Sequence, residues 1–195
     1  VYLSSSIFPA LPTNQKCELM ASKFWTFYQL GISNIIRVGA YRIGFRTGFH
    51  PAIFIKTRVP VGPFFRLLPK NVISAAASPN TDWDHSLFWF GWYRRPHTDA
   101  APNWFSNPFS EVPILNADLD WWRIPDFNAG DIKGIWELSR FDWVIAWATK
   151  AAHGDIEALK KLNLWLGDWS WSNPPYKGPN WKCGQEASIR VMHLV

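Results

Sequence analysis

The amino-acid sequence predicts a mainly α fold, built of helical hairpins, with a loop-rich segment that contains short strands. In the last third of the chain, apolar residues recur at spacings of three and four, which indicates helices buried on one side. In the middle third, proline recurs too often for long helices to form. The 195 residues are 48% hydrophobic and 18% charged, a composition that suits a globular protein with one core.

Aromatic residues are unusually frequent, with 14 Trp and 14 Phe. Such side chains provide large flat apolar surfaces, which either fill a core or contact the C–H faces of a pyranose ring in a sugar-binding cleft. Core filling is the more common role for any single Trp. The composition therefore permits carbohydrate binding without establishing it.

Residues 1–49 form the first predicted segment, which is basic and helical. Across residues 1–80, nine Lys and Arg side chains stand against a single Glu. This part of the chain therefore either attracts a polyanion or carries a solvated basic surface. Helical spacing runs from about Cys17 to Phe49, and we expect Gly31 to end a first helix and Ser33 to cap a second one.

Residues 50–130 form the second predicted segment, which is rich in proline and aromatic residues. Proline excludes long helices here, so we expect ordered loops that join short strands around Ala52–Ile55 and Leu87–Trp92. The many aromatic side chains indicate that these loops are packed.

Residues 131–195 form the third segment, in which three helices are predicted. The first spans Lys133–Ala152, the second runs from Ile156 to about Trp169, and the third runs from about Gly184 to the chain end. Their inward faces are predicted to carry Leu138, Phe141, Ile145, Ala148 and Ala152 in the first helix, and Leu159, Leu162, Leu166 and Trp169 in the second.

A short turn joins the first two of these helices. Gly154 suits the left-handed conformation that ends a helix, and Asp155 suits the N-cap of the next one. Two helices joined in this way form an αα-hairpin, and hairpins in series with long loops indicate a toroid or a solenoid of helix pairs. The last helix shows no end signal before Val195, so we expect the natural chain to continue.

Neither a membrane span nor a metal or cofactor site is expected. The apolar runs are far shorter than the roughly 20 residues that a bilayer-crossing helix needs. Cys17 and Cys183 lie far apart without a CxxC pattern, which favours neither a zinc site nor a disulfide framework. His85 lies near Asp82 and Asp84, but this pattern is typical of a turn, and His193 is expected to be a packed side chain.

Three strings of residues carry a resemblance to a known family. They are GAYRIGFRTGFHP (Gly39–Pro51), GDIKGIWELSRFDWV (Gly130–Val144) and NPPYKGPNWKCGQEASIRVMH (Asn173–His193). Together they resemble the amino-terminal domain of heparinase II/III-like proteins, and the similarity runs in order through residues 22–195. In that family an incomplete α/α toroid precedes a β-sandwich domain, and the enzymes cleave uronic-acid-containing polysaccharides by β-elimination.

The resemblance implies a fold, a ligand and a location. It implies an incomplete α/α toroid made of helical hairpins, whose partners are an acidic polysaccharide and the rest of its own chain, the remaining toroid and the β-sandwich, and not nucleic acid. It places the catalytic tyrosine, histidine and carboxylate-neutralising group beyond Val195, so no catalytic residue is assigned here. The bacterial parent protein is expected in the periplasm or outside the cell, or in the cytoplasm, since no signal peptide is visible.

Seven residues of the matching strings are candidates for binding substrate. Aromatic rings would stack on sugar, Arg side chains would meet uronate or sulfate, and polar groups would line the groove. The alternative is that the Glu and Arg residues lock adjacent hairpins together by buried ion pairs. The candidates are Trp136, Glu137, Arg140, Asn180, Trp181, Glu186 and Arg190.

Two pairing schemes are open for the four charged candidates. Glu186 and Arg190 are four apart, and Glu137 and Arg140 are three apart, so each pair can form within its own helix. A crossed scheme, Glu137 with Arg190 and Glu186 with Arg140, is equally open to neighbouring helices.

Two other functions remain possible from the sequence. One is a glycoside hydrolase on an α/α toroid, with Glu137 or Glu186 as the acid. An adjacent Arg would hold such a Glu ionised, whereas a general acid needs a raised pKa. The other is a non-catalytic module that binds an acidic polysaccharide, which the basic first segment would suit.

Overall fold

The computed structural model describes residues 25–26, 28–67, 82–96, 99–110, 117–125 and 130–195. The chain divides into two compact units, Val1–Ile55 and Lys56–Val195. The described residues are mostly helical, at 56%, with one small two-stranded sheet. The predicted mainly α class is therefore confirmed. Within the described ranges, no helix has the length and apolar character required to cross a bilayer.

The first unit contains one long described helix, α1 (Ile32–Thr47), with no buried residue. Gly31, at φ 77°, separates it from helical residues 28–30, and Gly48, at φ 79°, ends it. The predicted break at Gly31 is confirmed. The predicted cap at Ser33 is wrong, because Gly31 occupies the N-cap position and Ser33 lies inside the helix. The predicted helix residues before Trp25 lie outside the described residues.

The predicted strand at Ala52–Ile55 is wrong, because a 3-10 turn spans Pro51–Phe54. Proline at the first position has the φ that a helical turn requires and lacks an N–H that would need a partner. The His50 ring nitrogen Nδ1 accepts a hydrogen bond from the Ala52 N–H at 3.2 Å. Local capping therefore outweighs the strand propensity of this short apolar run.

In the second unit, strand β1 (Ser86–Trp89) pairs antiparallel with β2 (Tyr93–Pro96), with Trp89 opposite Tyr93. The predicted strand at Leu87–Trp92 is therefore partly wrong, since it runs through the turn. Phe90 and Gly91 have φ of 54° and 73°, the left-handed values that reverse a hairpin. Leu87 and Trp89 point into the core.

The predicted single helix over Lys133–Ala152 is wrong. Helix α2 (Lys133–Trp136) continues into a 3-10 turn over Glu137–Arg140, and α3 (Asp142–Ala152) begins after Phe141. Phe141 has φ 73°, so it changes the direction of the chain and restarts the helical phase. The buried residues of α3 are therefore Trp143, Val144, Ala146, Trp147 and Ala151, whereas Ile145 is 49% exposed and Ala148 and Ala152 are half-buried.

Helix α3 packs against α4 (Ile156–Ser172) as the predicted hairpin. Gly154 has φ 97°, and the Asp155 carboxylate accepts a hydrogen bond from the Ala158 N–H at 2.9 Å, which confirms both predicted capping roles. Helix α4 extends past the predicted end, and α5 (Gly184–Leu194) follows as predicted. Of the residues predicted to face inward in α4, Leu162, Leu166 and Trp169 are buried and Leu159 is half-buried.

Tryptophan fills much of the core between these helices. Trp143 and Trp165 are fully buried and Trp147 nearly so, and the rings of Trp147 and Trp165 meet edge to face at 4.5 Å. Trp104, from a loop, completes the cluster with its ring 5.9 Å from Trp165. Edge-to-face contacts of this kind add stability beyond the area that the rings bury.

Candidate functional site

Arg140 joins the two matching strings of the second unit. Its guanidinium binds Glu186 of α5 through two parallel hydrogen bonds of 2.8 Å, from Nε and Nη2 to the two carboxylate oxygens. Its Nη1 also donates to Glu137. Both carboxylates are at most 5% exposed. A bidentate pair of this kind fixes both the distance and the angle between the two helical segments that carry it.

Glu137 also holds the turn of the hairpin. Its second oxygen accepts a hydrogen bond from the Phe90 N–H at 2.8 Å. Phe90 has a left-handed backbone, which is costly for a residue with a Cβ atom. The buried carboxylate therefore stabilises a strained turn while it pairs with Arg140.

Arg190 has a different environment from Arg140. Its guanidinium carbon lies 5.2 Å from the ring centre of Trp169 and 5.4 Å from that of Trp181. Nη2 donates to the Asn180 carbonyl at 2.7 Å, and Nη1 has no hydrogen-bond partner. Burial lowers the pKa of Arg190 to about 10, against a smaller opposing effect of the Glu186 charge.

The geometry decides between the predicted pairing schemes. The pair within Glu137–Arg140 and the crossed pair between Glu186 and Arg140 both form. The pair Glu186–Arg190 and the crossed pair Glu137–Arg190 are wrong, because Arg190 points to aromatic faces and a carbonyl. One arginine therefore serves both carboxylates, a solution that spacing alone does not predict.

The loop candidates are also held by buried hydrogen bonds. Asn180 is fully buried, and its amide donates to the Asn173 side chain at 2.9 Å. Trp181 donates from Nε1 to the Asn173 carbonyl at 3.0 Å, and Trp136 donates from Nε1 to the Pro179 carbonyl at 2.9 Å. The structure thus places the predicted residues in two groups. Glu137, Arg140 and Glu186 form an ion-pair network. Asn180, Trp181 and Arg190 are held together in and beside the loop, and Trp136 is bonded to the same loop.

Burial separates these candidates into two groups. Glu137, Asn180, Glu186 and Arg190 are at most 5% exposed, so they offer little surface to a ligand and act by positioning their neighbours. Trp136, Arg140 and Trp181 are only half-buried. The half-buried members are the ones that a ligand can reach.

A cavity of about 230 Å³ lies beside the network. Glu137 and Asp142 line it together with Arg94 and the ring of Phe90. Burial raises the pKa of Asp142, while His193 and Arg140 oppose that shift. Both oxygens of Glu137 already accept hydrogen bonds, one from Arg140 and one from the Phe90 N–H.

His193 is packed against the same network. Its Nδ1 lies 2.7 Å from the Arg140 carbonyl oxygen and 3.5 Å from Asp142 Oδ1. This agrees with the expectation of a packed histidine, since Nδ1 serves as a donor to the main chain. In the part of the chain that the structure describes, no group of three or more His, Cys, Asp or Glu residues could hold a metal ion.

The sequence patterns did not indicate several residues that support this network. Phe90 and Ser139 are examples, since Ser139 accepts a hydrogen bond from Trp169 Nε1 at 3.0 Å. The FG dipeptide after an apolar strand is the one signal that could have revealed the turn at Phe90. Nothing in the spacing of Ser139 marks it as a partner of a residue 30 positions later.

Comparisons with protein-family models, with curated proteins and with solved structures find no match to this chain.

Proposed function

We propose that this chain is the amino-terminal part of a lyase that cleaves a uronic-acid-containing polysaccharide by β-elimination. In this proposal the hairpin of α3 and α4, with α5, forms the first wall of an incomplete α/α toroid. One observation supports it most directly. The two strings Gly130–Val144 and Asn173–His193, which carry the resemblance, meet through the pairing of Arg140 with Glu186.

β-Elimination sets requirements that divide between this chain and its continuation. A base must remove the proton next to the uronate carboxylate, and cationic or amide donors must neutralise that carboxylate. In the proposal, sequence beyond Val195 supplies these groups. The role of this chain is to hold the groove in shape, for which side chains fixed by buried ion pairs and hydrogen bonds are suited.

The same network disfavours glycoside hydrolysis by Glu137 or Glu186. A general acid in a hydrolase must hold a proton near neutral pH, which requires a raised pKa. Glu186 accepts two hydrogen bonds from Arg140, and Glu137 accepts from Arg140 and a main-chain N–H. Both carboxylates are therefore buried and occupied as acceptors by fixed donors, so neither presents a proton to a glycosidic oxygen.

An assay of the complete natural protein tests the proposal. It is mixed with uronate polysaccharides, and the ultraviolet absorbance of the unsaturated sugar end is followed together with the release of reducing ends. A lyase produces both signals in step, because each elimination creates one unsaturated end and one reducing end.

The other outcomes contradict the proposal in distinguishable ways. Reducing ends without unsaturated product would show a hydrolase. Retention of the polymer without any cleavage would show the alternative of a non-catalytic binding module. Unsaturated product from the 195-residue chain alone would show that the catalytic groups lie within it, which overturns their placement beyond Val195.

A further inference from the structure

A second cavity, of about 360 Å³, opens beside the loop that follows α4. Its wall combines three aromatic rings, Trp169, Tyr176 and Trp181, with Arg58 from an extended segment. The volume lies in the range of small-ligand sites, which are mostly apolar with a few placed polar groups. None of the seven sequence-predicted residues except Trp181 lines it.

Tyr176 occupies this wall at a conformational cost. It follows Pro175 in a turn closed by the hydrogen bond from the Lys177 N–H to the Pro174 carbonyl at 3.0 Å. Its φ is 66°, a value that turns with proline in the second position normally assign to glycine or asparagine. A tyrosine here costs about 1 kcal/mol or more relative to glycine. Strain of this kind is concentrated at ligand sites.

The other two rings are fixed in orientation before any ligand arrives. Trp181 donates to the Asn173 carbonyl at 3.0 Å, and Trp169 donates to the Ser139 hydroxyl at 3.0 Å. The Tyr176 and Trp181 ring centres are 5.8 Å apart. Rings held by their polar edges keep their faces in place, which lowers the entropic cost of binding a flat apolar partner.

Arg58 supplies the charge of the cavity. It is exposed, and among the described residues no carboxylate lies within ion-pair distance of its guanidinium. A planar guanidinium matches a carboxylate or a sulfate through two parallel hydrogen bonds. The wall therefore pairs apolar faces with one available cation.

We infer that this cavity is a subsite for one anionic pyranose ring, with Tyr176 and Trp181 against its C–H face and Arg58 bound to its uronate carboxylate. The inference rests on the proposed function, because it assigns part of the substrate groove to this chain. Unlike the proposed cleavage, binding at this subsite needs no catalytic group, so the chain alone is expected to bind a uronate oligosaccharide.

Calorimetric titration of the chain tests the subsite. The probe is a saturated tetrasaccharide of alternating glucuronate and N-acetylglucosamine, and the neutral control is the tetrasaccharide of N-acetylglucosamine alone. We expect the uronate probe to bind and the neutral sugar to bind about tenfold more weakly, because one charge-assisted contact is absent. Equal affinities, or no binding of the uronate probe, would overturn the inference.

Two variants separate the subsite from general stability. Tyr176→Gly relieves the left-handed strain but loses the ring contact with Trp181, so its melting temperature is expected to change little while affinity falls about tenfold. Arg58→Ala is expected to remove the preference for the uronate probe over the neutral one. Unchanged affinity in both variants would overturn the assignment.

Matched controls come from the same surface. Trp171→Ala removes a ring that is 79% exposed on α4, outside the cavity wall. Lys56→Ala removes a cation two residues from Arg58, also outside the wall. Both variants are expected to keep full affinity for the uronate probe. A loss of affinity equal to that of the wall variants would show non-specific attraction and would contradict the subsite.

The results separate the failure of this inference from that of the lyase proposal. If the complete protein forms unsaturated product, and neither Tyr176→Gly nor Arg58→Ala changes its amount, the lyase proposal is supported and the subsite is contradicted. Uronate binding that depends on Tyr176 and Arg58, without unsaturated product, would keep the subsite and remove the lyase.

Discussion

Arg140 and Arg190 lie on helical segments that pack together, but they are stabilised in opposite ways. Arg140 contacts two carboxylates, and its hydrogen bonds with Glu186 raise its pKa against the effect of burial. Arg190 is 3% exposed, lies between two Trp rings, and has its pKa lowered by burial to about 10. One arginine is neutralised by its neighbours, whereas the other remains an unpaired cation.

The difference indicates which contacts hold the helices and which shape the loop. Arg140 balances two buried charges, so its removal leaves both of them uncompensated. Arg190 donates one hydrogen bond to the Asn180 carbonyl and covers the Trp181 ring. A neutral side chain of similar length can cover that ring, so the charge of Arg190 contributes little to stability.

The largest expected effect is that of Arg140→Met. The substitution keeps most of the side-chain volume but leaves Glu137 and Glu186 buried without a counter-charge. We expect the free energy of unfolding to fall by about 4 kcal/mol, measured by urea denaturation at neutral pH.

Arg66→Met provides the matched control for this substitution. Arg66 is exposed, and its replacement is expected to change the free energy of unfolding by less than about 0.5 kcal/mol. If the free energy of unfolding of Arg140→Met also stayed within about 1 kcal/mol of that of the parent chain, Arg140 would contribute no more to stability than Arg190 does.

The i, i+3 spacing of Glu137 and Arg140 predicts their ion pair, but it does not predict that Glu186 shares the same arginine. The single helix predicted over Lys133–Ala152 failed because Phe141 adopts a left-handed conformation. That conformation is fixed by burial of its ring against Trp143 and Trp169, which are contacts that helical periodicity does not encode.

The turn and cavity residues were harder to predict for a related reason. Gly154 and Asp155 act locally, so their capping roles follow from residue type alone. Tyr176 stands where residue type predicts glycine or asparagine, and only the fold places it in the wall of the same cavity as Arg58. A position where local preference is overruled is expected at a strained or functional site.

A smaller effect is expected for Arg190→Met. The variant loses one hydrogen bond and two cation–π contacts, but it also removes the cost of burying a charge. We expect the free energy of unfolding to change by no more than about 1 kcal/mol, measured in the same urea titration. A loss as large as that of Arg140→Met would show that the aromatic sandwich is as strong as the ion pairs, and the contrast between the two arginines would be broken.

The smallest expected effect concerns the alkaline pH dependence of Arg190. Its pKa is lowered in the folded chain, so the folded state releases this proton at a lower pH than the unfolded state. The cost of burying the cation is fully present below a pH of about 10, and it declines as pH rises from that value toward the pKa of the unfolded chain. The free energy of unfolding of the parent chain, measured relative to Arg190→Met, should therefore rise with pH above about 10.

Subtracting the value for the variant cancels the titration of lysine and tyrosine, which both chains share. The carbon-13 resonance of the Arg190 guanidinium should move over the same pH range while that of Arg140 stays constant. If both resonances stayed constant and the difference in stability were flat, burial would not distinguish the two arginines.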